Sequence, residues 1–178
     1  MAILLGIVAL WIALLPRPAG TARPAVDVGS SARYVAAETG TTLYVPSLPA
    51  PWRPTSVRTT DTASVPGWHA GYTHEGDERA YVAVEETAAT GADSDDAWTR
   101  AILKTATERE ARTVGGRTWA LYSDGGDPER RSLVGRIEGT LVVVTGLADL
   151  EVLEAAAGSL QSVEPTASSA PPSASATP

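Results

Sequence analysis

Positions 2–15 of this 178-residue chain are apolar without a single charge, whereas from position 28 to position 160 apolar residues alternate or recur every three and four. The second regime predicts an ordered series of elements. Residues 28–38 form a short helix with Val28, Ala32, Val35 and Ala36 on one side, and Gly40 stops it because glycine accepts the left-handed conformation. Residues 42–45 make a brief strand. The four prolines in 46–54 make that run an extended connector. Strands follow at 55–60, 67–73 and 79–86. In the second, Trp68, Ala70 and Tyr72 share one face and His69, Gly71 and Thr73 the other, with a turn at 74–77 closing a hairpin onto the third.

A helix over 95–106 places Trp98, Ala101, Ile102 and Thr105 in one stripe. Ser94 is its expected cap, Asp95 and Asp96 suit its positive end, and Lys104 suits its negative end. Strands at 110–114 and 117–123 meet at Gly115-Gly116, and strands at 130–138 and 140–146 meet at Gly139. Leu141 and Val143 face one way and Val142 and Val144 the other, which marks 140–146 as a central strand covered on both sides. Asp149 caps a helix through Leu160, with Leu150, Leu153, Ala157 and Leu160 on one face. Residues 55–106 and 117–160 therefore each read as three strands followed by a helix. The expected fold is α+β: a mainly antiparallel sheet with about three helices packed on it.

The first regime sets the compartment. A helix over residues 2–15 is apolar all round and spans roughly 21 Å, short of the roughly 30 Å hydrocarbon core. No basic residue precedes it, no Ala-x-Ala follows, and Pro16-Arg17-Pro18 ends it. The reading that fits is an uncleaved signal-anchor over 1–15, with cleaved secretion as the alternative. Met1 is then an internal methionine, and a short basic stretch is expected upstream of it. Arg17 and Arg23 stand on the side assigned outside, against the positive-inside tendency. Residues 16–26 are a linker and 27–163 one globular domain. From Gln161 the chain turns to Ser, Ala, Pro and Thr, and 164–178 is expected to be a disordered tail.

Net charge is −7, and Arg17 and Arg23 are the charges before Asp27, so the remainder carries −9. An acidic domain excludes nucleic acid as a partner. Thirteen of the fourteen basic residues are Arg and Phe is absent, a bias of codons rather than chemistry. The absence of cysteine excludes disulfides, thiol catalysis and Cys-ligated zinc.

Several short motifs occur in order: Val26-Asp27-Val28, Leu48-Pro-x-x-Trp52-Arg-Pro-Thr-Ser56, Trp68-His-x-Gly-Tyr72, Val114-Gly-Gly-Arg-Thr-Trp119 and Arg131-Ser-Leu133. With the apolar start, this set resembles the domain of unknown function 4245 family over about residues 2–160. The resemblance implies a membrane-anchored protein of high-GC Gram-positive bacteria with its domain outside the cytoplasm. It implies no activity, and no functional residue is carried over.

Each candidate site has a structural counterpart. Trp52, Trp68, Trp98 and Trp119 with Tyr72, Tyr81 and Tyr122 could stack sugar rings, but their phases point inward, each N–H or O–H towards a partner in the core. His69 and His74 lack the third ligand that zinc needs. His69 could act as a base beside a serine, yet no nucleophile motif is present; it reads as a surface-facing strand residue and His74 as a turn residue. Asp93, Asp95 and Asp96 lack the Gly and distal Glu of a calcium loop. Arg130 and Arg131 are expected to pair with neighbouring acids, and Glu85 and Glu86 to point to opposite faces. No catalytic, cofactor or metal residue is assigned. The expected function is a non-enzymatic envelope module binding a protein or cell-wall component. The alternatives are a wall hydrolase using carboxylates from separate strands, or a carrier of lipid or small ligands.

Overall fold

The computed structural model describes residues 26–88 and 91–165. The signal-anchor assigned to 1–15, the linker up to residue 25 and the tail from 166 lie outside the described residues. Among the described residues no helix is long and apolar enough to cross a membrane.

The elements run α1 (Val28–Thr39), β1 (Leu43–Pro46), β2 (Trp52–Thr62), β3 (Val65–His74), β4 (Asp77–Ala88), α2 (Ala92–Leu103), β5 (Thr107–Val114), β6 (Arg117–Ser123), β7 (Arg131–Ile137), β8 (Thr140–Gly146), α3 (Leu150–Gly158) and β9 (Leu160–Val163). Seven strands form one sheet in the order β2-β3-β4-β8-β7-β6-β5. Every neighbouring pair in it is antiparallel. β1 and β9 form a separate antiparallel pair. The expected α+β class, with a mainly antiparallel sheet and three helices, is what the described residues form.

β8 lies fourth of seven, and each of its residues is buried. Its unbroken apolar run therefore reflects cover on both faces. On one face, Trp68, Ala70, Tyr72, Val82, Val84, Val142, Val144, Leu133 and Trp119 pack against α1, α3 and β1. α1 contributes Val28, Ala32, Val35 and Ala36, the side that the periodicity predicts, and ends at Gly40 with φ 69°. Asp27 caps it by accepting from the Ser30 N–H at 2.9 Å. On the opposite face, α2 lays Trp98 and Leu103 over Val65, Leu141 and Val143.

Four expectations need correction. The connector ends early: Trp52, Arg53 and Pro54 already belong to β2. β2 is an edge strand, where a proline lacking its N–H is tolerated. α2 starts and ends three residues before the expected helix. Ser94 sits inside its first turn, Gly91 takes the cap position, and Lys104 with φ 58° ends it. Its inward residues are Asp95, Trp98 and Leu103, while Ala101 and Thr105 are exposed. Asp95 faces inward because Arg136 on β7 takes its carboxylate at 2.7 Å. The chain also does not fall away at Gln161, since Gln161–Val163 complete β9 against β1.

The fourth correction concerns the repeated order of three strands and a helix. The triplets β2-β3-β4 and β8-β7-β6 do meet at the β4–β8 pair. A two-fold axis relating antiparallel neighbours stands perpendicular to the sheet, so it would put both following helices on one face. α2 and α3 pack on opposite faces. The repetition is one of element order and not of structure.

Candidate functional site

Two places on β2–β4 gather chemistry, one on each face of the sheet. The first is a cavity of about 150 Å³, open on one side, at the end of the sheet where β2 finishes, β3 begins and β4 finishes. Val35 and Thr39 of α1, Leu43 of β1, Thr59, Trp68 and Glu86 are among its walls. Glu86 and Trp68 are direct partners in the β3–β4 register, so alternation sends both to the face that α1 and β1 cover.

The Glu86 side chain is fully buried. Both carboxyl oxygens accept from one donor, the Tyr44 N–H, at 2.9 and 3.1 Å. Burial pushes the carboxyl well above its ordinary value of 4.5, and the single N–H bond opposes this only in part. Burial thus favours the protonated form of Glu86, in which the carboxyl donates as well as accepts. Another wall residue, Trp68, carries a buried indole N–H with no partner among the described residues, whereas the Thr60 hydroxyl lies on the opposite face towards Trp98. The cavity combines an apolar interior with two buried hydrogen-bonding groups at its wall, the Glu86 carboxyl and the Trp68 indole N–H.

The second place lies on the opposite face. His69 on β3 is the direct register partner of Glu85 on β4, and Ser56 on β2 lies diagonally across from it, opposite Gly71. His69 Nδ1 stands 2.6 Å from Glu85 Oε1, and His69 Nε2 stands 3.1 Å from Ser56 Oγ. With Glu85 ionised, Nδ1 carries the proton and Nε2 accepts from the Ser56 hydroxyl. Gly71 makes this row fit: a Cβ there would stand within 2.4 Å of Ser56 Oγ and 3.1 Å of His69 Nε2. The Tyr81 ring borders the same space, and its phenol is raised by burial and by Glu85, with Arg58 and Arg130 opposing.

His69 is 2% exposed, which overturns the surface-facing assignment. The alternation correctly put it on the face away from Trp68. That face is covered here, however, and the histidine is paired rather than solvated. His74 is half-buried and meets Trp52 edge-on, with ring centroids 5.2 Å apart. Being five residues apart on one strand, the two histidines present to opposite faces. Among the described residues no group of three metal-binding side chains occurs.

Trp68, Trp98, Trp119 and Tyr72 are buried, while Trp52, Tyr81 and Tyr122 are half-buried. The expectation that each polar tip finds a partner fails for those four buried rings, whose N–H or O–H groups have none among the described residues. Burying a large aromatic surface outweighs one unmade hydrogen bond. Asp93 and Asp96 are exposed at the start of α2, and Asp95 is turned inward to Arg136. Arg131 pairs with Glu129 at 2.5 Å, and the Arg130 N–H donates to Asp124 at 2.9 Å. Glu85 and Glu86 point to opposite faces and serve the two separate places just described.

A family model described as "Protein of unknown function (DUF4245)" matches residues 1–160. The chain belongs to that family. No curated protein and no solved structure matches it.

Proposed function

We propose that this DUF4245 protein is a small-ligand-binding module of the cell envelope, held at the membrane through residues 1–15 with its domain outside the cytoplasm. The observation that carries the binding reading is the cavity walled by Trp68, Leu43 and Val35, with the carboxyl of Glu86 buried beside it and pushed by burial towards its protonated form. A volume of about 150 Å³ suits one ring or a short branched chain. The chemistry of the walls selects a neutral group with an apolar body and one hydroxyl or carbonyl. A cationic or anionic group would have to shed its hydration against an uncharged acid.

A hydrolase working through paired carboxylates needs two acids facing each other about 5–9 Å apart. Glu86 is the one acid among the residues that line the cavity, so this arrangement supports binding over glycoside cleavage there. The membrane half of the proposal rests on the charge-free run at 2–15 and on the motifs shared with the family.

Ligand-observed NMR on the full chain in nanodiscs, with small neutral alcohols, ketones and esters, tests the cavity. Thr59 is exposed at its rim, so Thr59→Trp should close the opening without disturbing the fold. Binding to the wild type that is lost in an equally stable Thr59→Trp supports the reading. Equal binding to both, or to neither, overturns it. Protease added to intact spheroplasts should remove the domain, and a protected domain would defeat the outward orientation.

A further inference from the structure

We infer that Ser56 is an activated nucleophile towards acyl esters, with His69 as its base and Glu85 as the group that orients the base. This site lies on the opposite face of the sheet from the cavity and does not depend on it.

The geometry has the three parts that serine nucleophiles need. The hydroxyl is within hydrogen-bond reach of a ring nitrogen at 3.1 Å. The second ring nitrogen is locked by a carboxylate at 2.6 Å, which fixes the tautomer that leaves Nε2 free to accept. The base is buried and shielded from water, and the nucleophile is half-buried on an edge strand. Gly71 lets the hydroxyl and the imidazole approach each other, since a Cβ there would stand 2.4 Å from Ser56 Oγ and 3.1 Å from His69 Nε2.

Groups to stabilise an oxyanion are also adjacent. The β2–β3 register shifts between Pro54 and Ser56, leaving Thr55 without a cross-strand partner. Thr55 adjoins the nucleophile, and a backbone N–H left off the ladder by the bulge would be placed to donate to an oxyanion. Arg58, register partner of His69 and exposed, brings a cation to the same side.

The chemical step balances without a cofactor. Ser56 Oγ bonds to the acyl carbon and its proton passes to His69 Nε2. The ester C–O bond then breaks, and the leaving alcohol takes that proton. Water, deprotonated by Nε2 in turn, releases the acid and restores the serine.

The test is a fluorophosphonate probe applied to the full-length chain in nanodiscs, with the modified residue located by peptide mapping. Ser56 should be the labelled serine, and Ser56→Ala should melt as the wild type does and lose the label. His69→Asn should slow labelling by roughly 10²-fold or more, and Glu85→Gln should slow it to a lesser degree. Should His69→Asn not fold, the wild-type map still decides. Absence of Ser56 modification, or modification no faster than that of exposed Ser64, overturns the inference. Labelling that Glu85→Gln leaves unchanged in a folded chain does the same.

Discussion

Burial raises the Glu86 carboxyl well above its ordinary value of 4.5, so the folded chain holds its proton to higher pH than the unfolded one does. The sign follows directly. Its contribution to stability is complete below about pH 4.5 and declines as pH rises towards the folded value, since the unfolded state sheds its proton first. Glu86→Gln is neutral throughout, so its melting temperature relative to wild type should climb with pH across that window. The limiting slope is roughly a kcal/mol per pH unit. A pH-independent difference would mean that Glu86 titrates as an exposed acid does. Trp98 and Trp119 are both buried, and replacing either with Ala should cost about 3–5 kcal/mol. A domain of about 5–15 kcal/mol total stability would be poorly folded after that loss. His69→Ala, which a surface position would tolerate, should instead cost about 1–3 kcal/mol by leaving Glu85 and Ser56 without their shared partner. Thermal unfolding of the three variants ranks them, and a His69→Ala chain melting at the wild-type temperature would contradict its burial.

At the scale of elements, alternation and turn residues sufficed where a strand had a hydrophobic face and a glycine turn. β6 and β8 have the residues expected for them, and the hairpins at Gly115-Gly116 and Gly139 are in place. What failed depended on partners distant in sequence. Asp95 looked like a helix-start acid because nothing nearby reveals Arg136, 41 positions away. The row Ser56–His69–Glu85 was equally hidden. Each residue was placed on a strand, but no motif states the register that lines up three strands. β9 was missed because Leu160-Gln161-Ser162-Val163 is too short and polar to declare itself without β1. Its pairing can be tested by truncation. A chain ending at Ser159 loses β9 together with the cover that Leu160 and Val163 give the core. It should melt several degrees below one ending at Pro165, since about 1 kcal/mol moves a domain of this size by that much. Equal melting points would show that β1 stands without its partner.

For the molecule as a whole, the two sheet faces differ in how they are covered. The face under α1, α3 and β1 is apolar and holds the cavity, while α2 covers only part of the other, leaving polar residues at its edge. The antiparallel β4–β8 pair is the seam that joins the first half of the chain to the second. The β1–β9 pair closes the molecule beyond it: Leu43 stands opposite Val163, 120 positions later. That pairing imposes an order of events on a chain made from one end. At roughly 5–20 residues per second, β1 leaves the ribosome about 6–24 s before β9 exists, and the Glu86 wall of the cavity waits with it. Contacts of such long range also slow the search for the native state once synthesis is complete. The polypeptide must therefore travel unfinished for most of its manufacture, a condition that suits any chain that has to be threaded before it can close.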